Sequence, residues 1–352
     1  NVTIDFYTVV DSMKKVYSST LLNFSPARIT DTITPEVMAA ANLPDSVLRQ
    51  ASKQFSTVNG LRKFFMGQNY RPEWSASVTM KTFDIDKEQG GFFVSGLGGG
   101  TQTKSLRLRQ TRDTTGKEWV LRRIEKKSLV IPEPFRNYLT AGMAKDLSSA
   151  THPYGAFIVP GLAQPLGIVV PKPRLFFVED DARLRGYRND FAGKACMLEE
   201  SFTTYKGKNT KSTSKVFTEM IRDNDHRPDQ PSVLTARLLD LLIGDFDRHF
   251  DQWRWYKDDT GKGEVYYPIP RDRDQAFFYS DGKITKLFSG RLIPFLKGFR
   301  GDIPDVNWLS YVAKDFDRVF LTDLDAGEWK NSIKDFQEKI TDSSIRAAVK
   351  KL

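Results

Sequence analysis

Between Gly244 and Phe277 the sequence GDFDRHFDQWRWYKDDTGKGEVYYPIPRDRDQAF places Asp245, Asp247, Arg248, His249, Asp251 and Gln252 in one short stretch, and Asp272 and Asp274 in another. An aromatic run with a DDTGKG centre separates them and reads as two strands joined by a turn. Two carboxylate-bearing loops held close by a rigid hairpin suit phosphoryl transfer, where most of the catalysis is positioning and charge stabilisation. One loop would supply an aspartate beside an attacking hydroxyl and an amide oxygen for a metal. The other would supply an aspartate that bridges metal and phosphate oxygens.

Other chemistries are less well served. The three histidines, His152, His226 and His249, lie in different segments, and no H-x-x-x-H or H-x-H spacing occurs. There is no G-x-S-x-G elbow for a serine nucleophile. The single cysteine, Cys196, lies in the apolar stretch KACML and reads as core, which excludes an internal disulfide and a multi-cysteine zinc site. Asp223, Asp225 and Asp229 lack the glycine and terminal glutamate of a calcium-binding EF-hand loop and read as a solvated turn. Trp253, Arg254 and Trp255 alternate as on a strand with one core face, so a nucleic-acid platform is not expected.

The elements that must position these residues follow from periodicity. Residues 231–243, PSVLTARLLDLLI, form an amphipathic helix with Asp229 as cap and Gly244 as its end, which delivers Asp247 just past a buried helix. Upstream, from about 76 to 200, SASVTMKTFDI, GGFFVSGLGGG, KSLRLRQ, KEWVLRRI, PRLFFVED and KACMLEE read as strands. The pair KSLRLRQ and KEWVLRRI reads as a hairpin turning at Gly116, and helices are expected around 135–147 and 154–162. Residues 1–75 read as short helices, with Thr34, Pro35 and Glu36 opening one and LPDSVLRQASKQF and GLRKFFMG forming others. Helices return at DVNWLSYVAKDFDRVFLTDL and EWKNSIKDFQEKI.

The segment D-R-H-x-x-Q, from Asp247 to Gln252 and preceded by Ile243-Gly244-Asp245-Phe246, resembles the D-R-H-x-x-N catalytic loop of atypical kinases. These include phosphoinositide kinases, HipA-like kinases, secretory-pathway casein kinases and CotH-like spore-coat kinases. The resemblance implies an α+β bilobal protein-kinase-like fold: an N-terminal helical arm over 1–75, a sheet-rich lobe over 76–200 and a helical lobe over 201–352. It implies a catalytic role for Asp247, with Arg248 and His249 as structural members of the loop. Gln252 falls on the metal-binding Asn position, and PRDRDQAF resembles the metal-binding loop, with Asp274 favoured over Asp272 as chelator. The turn Gly98, Gly99 and Gly100 resembles a glycine-rich phosphate cover. Arg122 stands where the strand lysine of kinases is expected, and Lys104 or Lys126 could supply the ammonium instead. Glu199 resembles the strand between lobes whose backbone meets adenine.

The implied cofactors are ATP with Mg2+ or Mn2+, and the acceptor, whether protein, lipid head group, sugar or metabolite, is left open. A pseudokinase scaffold or a nucleotide hydrolase on the same fold is the alternative. The stretch is also similar to bacterial envelope proteins in which such a domain accompanies phosphoesterase or outer-membrane barrel segments, which favours the periplasm or cell envelope.

Composition agrees with a globular chain able to bury a large core: 352 residues, 39% hydrophobic and 12% aromatic. A net charge of +9, spread among 44 acids, suits a polyanionic ligand without demanding one. No run of about 18 apolar residues is present. The chain opens at Asn1 without a basic-then-apolar leader, so either a removed targeting peptide or a longer parent chain is expected.

Overall fold

Leu106 and Leu108 alternate with Ser105, Arg107 and Arg109, and with Leu121 they are completely buried, which fixes one face of a seven-stranded sheet as core. The computed structural model describes residues 43–55, 58–99, 103–126, 141–291, 298–303 and 305–350, all within one structural unit, Asn42–Leu352. The sheet comprises β1 (Ser46–Gln50), β2 (Ser77–Thr82), β3 (Phe92–Leu97), β4 (Ser105–Gln110), β5 (Glu118–Arg123), β6 (Arg174–Val178) and β7 (Lys194–Glu200). Its order is β1-β2-β6-β7-β5-β4-β3, with β2 and β6 parallel and every other pair antiparallel. Phe83, Phe92, Phe176, Phe191 and Leu198 fill the core face around the three leucines. Strand alternation therefore turns Ser105, Arg107, Val120 and Arg122 to the opposite face, where they line a cleft.

One expectation is overturned. LPDSVLRQASKQF does not form a helix: Ser46–Gln50 is the edge strand β1, paired antiparallel to β2 from Ser46↔Lys81 to Gln50↔Ser77. The outer edge of β2 needs a hydrogen-bonding partner, and so short an apolar pattern does not by itself distinguish helix from strand. Val47 packs on the core beside Phe55 and Trp74, while Leu48 stays exposed. Residues 1–42, including the Thr34–Glu36 cap, lie outside the described residues. GLRKFFMG does form a helix, α1 (Gly60–Met66), followed by α2 (Arg71–Ser75).

The helical body begins inside the sheet's own sequence. α3 (Ala141–Leu147) and α4 (Gly155–Ala163) intervene between β5 and β6. Ile158, Val159 and Leu162 of α4 share a core with Leu239, Phe336 and Ala348 from much later in the chain. These come from α6 (Gln230–Leu242), α8 (Ala326–Lys339) and α9 (Asp342–Val349); α5 (Thr213–Arg222) and α7 (Lys314–Phe320) complete the set used here. The hairpin β8 (Trp253–Asp259) and β9 (Glu264–Pro270) lies against α7, with Trp253 stacked on Phe316 at 4.4 Å and Trp255 on Phe320 at 4.7 Å between ring centroids. Both tryptophans are buried, so the hairpin that joins the acidic loops is anchored by an aromatic stack. No described helix is long and apolar enough to cross a membrane.

Candidate active site

α6 determines where the first acidic loop begins. Asp229 caps it by accepting from the Ser232 amide at 3.0 Å, and Pro231 lies in its first turn. The helix stops at Gly244, whose φ of +63° and close approach to Phe299 leave no room for a side chain. The next residues are pinned by the Asp245 amide donating to the Asp240 carbonyl at 2.9 Å. His249 then accepts from the Asp251 amide at 3.3 Å and caps the 3-10 turn Phe250–Gln252 that feeds β8.

Arg248 ties the two acidic loops together. Its guanidinium is fully buried and lies over the Trp253 ring at 4.7 Å. It donates to the Arg271 carbonyl at 2.7 Å and to the Gln252 side-chain oxygen at 3.1 Å, and its Nε lies 3.3 Å from Asp240. The Arg271 amide in turn donates to the Gln252 carbonyl at 2.8 Å. Beneath the loops, Asp240 also pairs with Arg237 at 2.7 Å and with Arg273, while Asp245 lies 3.3 Å from Arg273. These buried charges are mutually compensated, as buried ions must be.

Above this base lies a cleft of about 610 Å³. Asp247, Asp272 and Asp274 line it from the helical body, Arg122 from the sheet, and Gly98 and Gly99 from the turn after β3. A Cβ on Gly98 would collide with the Ser105 hydroxyl, so the tight approach of the turn to β4 requires glycine there. Arg122 bonds Asp272 directly, Glu199 at 3.2 Å, and lies 3.9 Å from Asp274. Lys126, nearly buried, places its ammonium 2.8 Å from Asp274.

Electrostatics separates the acids. Burial, opposed by His249 and reinforced by Asp274, Asp245 and Asp272, pushes the Asp247 carboxyl up to about 6. Asp274 is also raised, by burial and by Asp272, against the pull of Lys126 and Arg122. For Asp272, burial is outweighed by Arg122 and Lys126, and its carboxyl is held low. Burial likewise opposes the charge of Arg122, but Asp272, Glu199 and Asp274 prevail and raise it. A carboxyl raised toward neutrality beside one that arginine holds ionised is the pattern of an acid/base residue.

Comparison with known proteins adds the following. No family model matches the chain, and no curated protein matches it. Among solved structures, the chain is similar to the Helicobacter pylori proinflammatory kinase CtkA, at 14% identity over 77% of this chain and 86% of that one, with a TM-score of 0.39. It is also similar to the Rio2 kinase of Chaetomium thermophilum, solved as an ADP/Mg2+-phosphoaspartate complex, at 15% identity over 83% of this chain and 84% of that one, with a TM-score of 0.30. At these scores the likenesses carry no argument, and the functional reading rests on the site itself.

Most of the residues singled out from sequence meet in this cleft. Asp247, His249, Gln252, Asp272, Asp274, Arg122, Gly98 and Gly99 all line it, and Arg248 lies directly beneath. Glu199 joins through its side chain, as a partner of Arg122. Gly100 lies outside the described residues. Lys104 is not brought in: strand alternation turns it away, and its ammonium pairs with Asp190 at 3.1 Å. Two expected ligands are already engaged, Asp272 by Arg122 and the Gln252 oxygen by Arg248. Among the described residues no group of three or more His, Cys, Asp or Glu is arranged to hold a metal by itself. The donor set does fit Mg2+, which characteristically takes one or two carboxylates and completes its shell with phosphate oxygens and water.

Sequence reading missed the weight of two features. Lys126, only one of two substitutes for the strand lysine, is the buried ammonium on Asp274; it lies past the end of β5, where strand periodicity gives no direction. Asp240 was overlooked altogether. Arg237 and Asp240 are three apart on α6 and buried beside Val233 and Ala236, on a face that the spacing of Leu234, Leu238, Leu241 and Leu242 does not mark.

Proposed function

We propose that this chain is a nucleoside-triphosphate- and metal-dependent phosphotransferase of kinase-like build, acting on a hydroxyl acceptor. The supporting observation is the convergence of Asp247 and Asp274, 27 positions apart, on one cleft beneath the Gly98–Gly99 turn. In this reading the triphosphate lies under the turn, with backbone amides and the Lys126 ammonium facing its oxygens. Asp274, with Asp272 as a second carboxylate, would hold the magnesium or manganese. When bound, that ion would neutralise charge on the transferring phosphoryl group.

The chain's own residues account for the rest of the chemistry. Asp247, raised to about 6, is ionised at neutral pH yet basic enough to accept the acceptor hydroxyl's proton as the new P–O bond forms. Arg248 holds the loop that carries it. Arg122, bonded to Asp272 and Glu199, orients the metal-side carboxylate, with direct phosphate contact as a lesser role. Gln252, whose side-chain oxygen accepts from Arg248, helps fix the loop and would offer that oxygen's second lone pair to the metal. The acceptor class, whether protein, lipid head group, sugar or metabolite, is set by surfaces beyond these residues.

One observation favours a non-catalytic binder instead: Arg122 and Gln252, at two positions that differ from active kinases, are both engaged within the protein. Product analysis with γ-labelled nucleotide separates the readings. Transfer of label to protein or added acceptor, abolished in Asp247→Asn, is expected. Bound nucleotide that stays intact through long incubation would identify a scaffold, and release of free phosphate alone a hydrolase.

A further inference from the structure

The cleft extends past the acids toward Ser201–Thr203, the segment that leaves β7 and joins the two bodies. In the phosphotransfer reading, on which this inference rests, the base of the nucleotide lies at this end. Its lining is unusual for a purine site. Val120 is the one apolar side chain that lines the cleft among the described residues; around it stand Glu118, Arg107, Arg254 and Arg271. Small-molecule pockets are ordinarily walled by apolar side chains with few polar groups.

One of these arginines, Arg254, has hydrogen-bonding capacity left toward the cleft. Arg254 uses Nε and Nη2 on Thr210, at 2.9 and 2.7 Å, and its Nη1 makes no hydrogen bond among the described residues. Arg271 donates to the Ser201 carbonyl at 3.1 Å and the Asp251 carbonyl at 3.3 Å, leaving a buried Nε without a partner. Neither forms an ion pair with a carboxylate among the described residues. Glu118 lies within electrostatic reach of Arg254 and beside Ser201, whose amide donates to the Glu118 carbonyl at 2.8 Å.

The backbone of the joining segment points the same way. Each carbonyl of that segment already accepts a hydrogen bond, Ser201 from Arg271, Phe202 from the Thr210 hydroxyl and Thr203 from the Thr210 amide at 3.0 Å, so an adenine amino group would have to share its acceptor. Spare donors on arginine and a free carboxylate beside them match a ring that carries a carbonyl oxygen and N7 on one edge and N–H groups on another. We propose that this end of the cleft selects a guanine nucleotide, with the Arg254 Nη1 donating to the O6 and N7 edge and Glu118 accepting from N1–H and the 2-amino group. An arginine donor on this edge of guanine with a carboxylate on the other discriminates by about tenfold.

The test is a thermal-shift and calorimetric titration of the full chain with GTP, ATP and tripolyphosphate, each with Mg2+. GTP is expected to bind at least about tenfold more tightly than ATP or tripolyphosphate, with that ratio falling toward one in Arg254→Met and in the milder Glu118→Gln. ATP binding as tightly as GTP would overturn the inference while leaving phosphotransfer standing. Tripolyphosphate equal to GTP would overturn it too, since no base would be read. Failure of all three to bind a folded protein would remove the phosphotransfer reading itself.

Discussion

Asp240 should be among the least replaceable side chains in the chain, although it faces neither cleft nor solvent. It accepts from Arg237 at 2.7 Å, lies 3.3 Å from Arg248 and bonds Arg273, all within the interior. The local cluster balances, with Arg237, Arg248 and Arg273 against Asp240, Asp245 and Asp317. Asp240→Ala would leave one guanidinium charge uncompensated in a buried site. Breaking a buried pair in this way costs about 3–5 kcal/mol. Against a typical stability of roughly 5–15 kcal/mol, that is a large loss. Asp317 still holds Arg237 from the far side, at 2.7 and 3.1 Å, and Asp245 still meets Arg273 at 3.3 Å, so the lower half of the range is expected. Asp240→Asn, which keeps an acceptor oxygen, should lose about half as much. Equilibrium urea unfolding at pH 7.5 measures both. A loss below about 1 kcal/mol for Asp240→Ala would refute the view that this charge cluster is the platform on which the acidic loops stand.

Further consequences are sharp enough to measure. Gly98→Ala should weaken nucleotide binding and cost about 1–3 kcal/mol by forcing β4 away at Ser105, whereas Gly99→Ala, which meets nothing, should be near neutral in a melt. Lys126→Met should reduce nucleotide affinity more than Arg122→Met, and Lys104→Met should leave it unchanged, as read by calorimetry. With Asp247 as the proposed base and its carboxyl pushed up to about 6, kcat/KM should rise with pH through about 6; Asp245→Asn, removing a negative neighbour, should move that limb to lower pH. The same shift has a stability consequence. A carboxyl raised above its unfolded value of about 3.9 favours the fold when protonated, and this benefit is lost as pH climbs through about 6. Asp247→Asn should therefore be more stable than the parent at pH 8, by about 1–2 kcal/mol after allowing for partial solvent contact, and similar to it at pH 4.

Much of this architecture can be read in the sequence because several local signals agree. Asp229, Pro231, the apolar spacing and Gly244 all specify α6, and the structure has the helix at Gln230–Leu242. The tryptophans of β8 alternate around Arg254, as a strand with one core face requires. β1 was missed because five residues offer too little periodicity, and its conformation is imposed by β2. The site was legible as residue types but not as connections. Sequence could place Arg122 on a strand facing the acids. It could not show that Asp272 and Glu199 would occupy the guanidinium, or that Lys126, beyond the strand, would swing onto Asp274. Such pairings depend on the relative placement of segments 77 to 150 residues apart, which no local pattern encodes.

The central claim is that Asp247 and Asp274 serve one metal–nucleotide site in different capacities. Calorimetric titration of Mn2+ in the presence of GTP or ATP, on the parent protein, Asp274→Asn and Asp247→Asn, tests it most directly. The account predicts metal-dependent nucleotide binding that Asp274→Asn weakens by tenfold or more and Asp247→Asn leaves within about threefold, since Asp247 faces the acceptor hydroxyl. Nucleotide binding indifferent to Mn2+, or unchanged in Asp274→Asn, would contradict it.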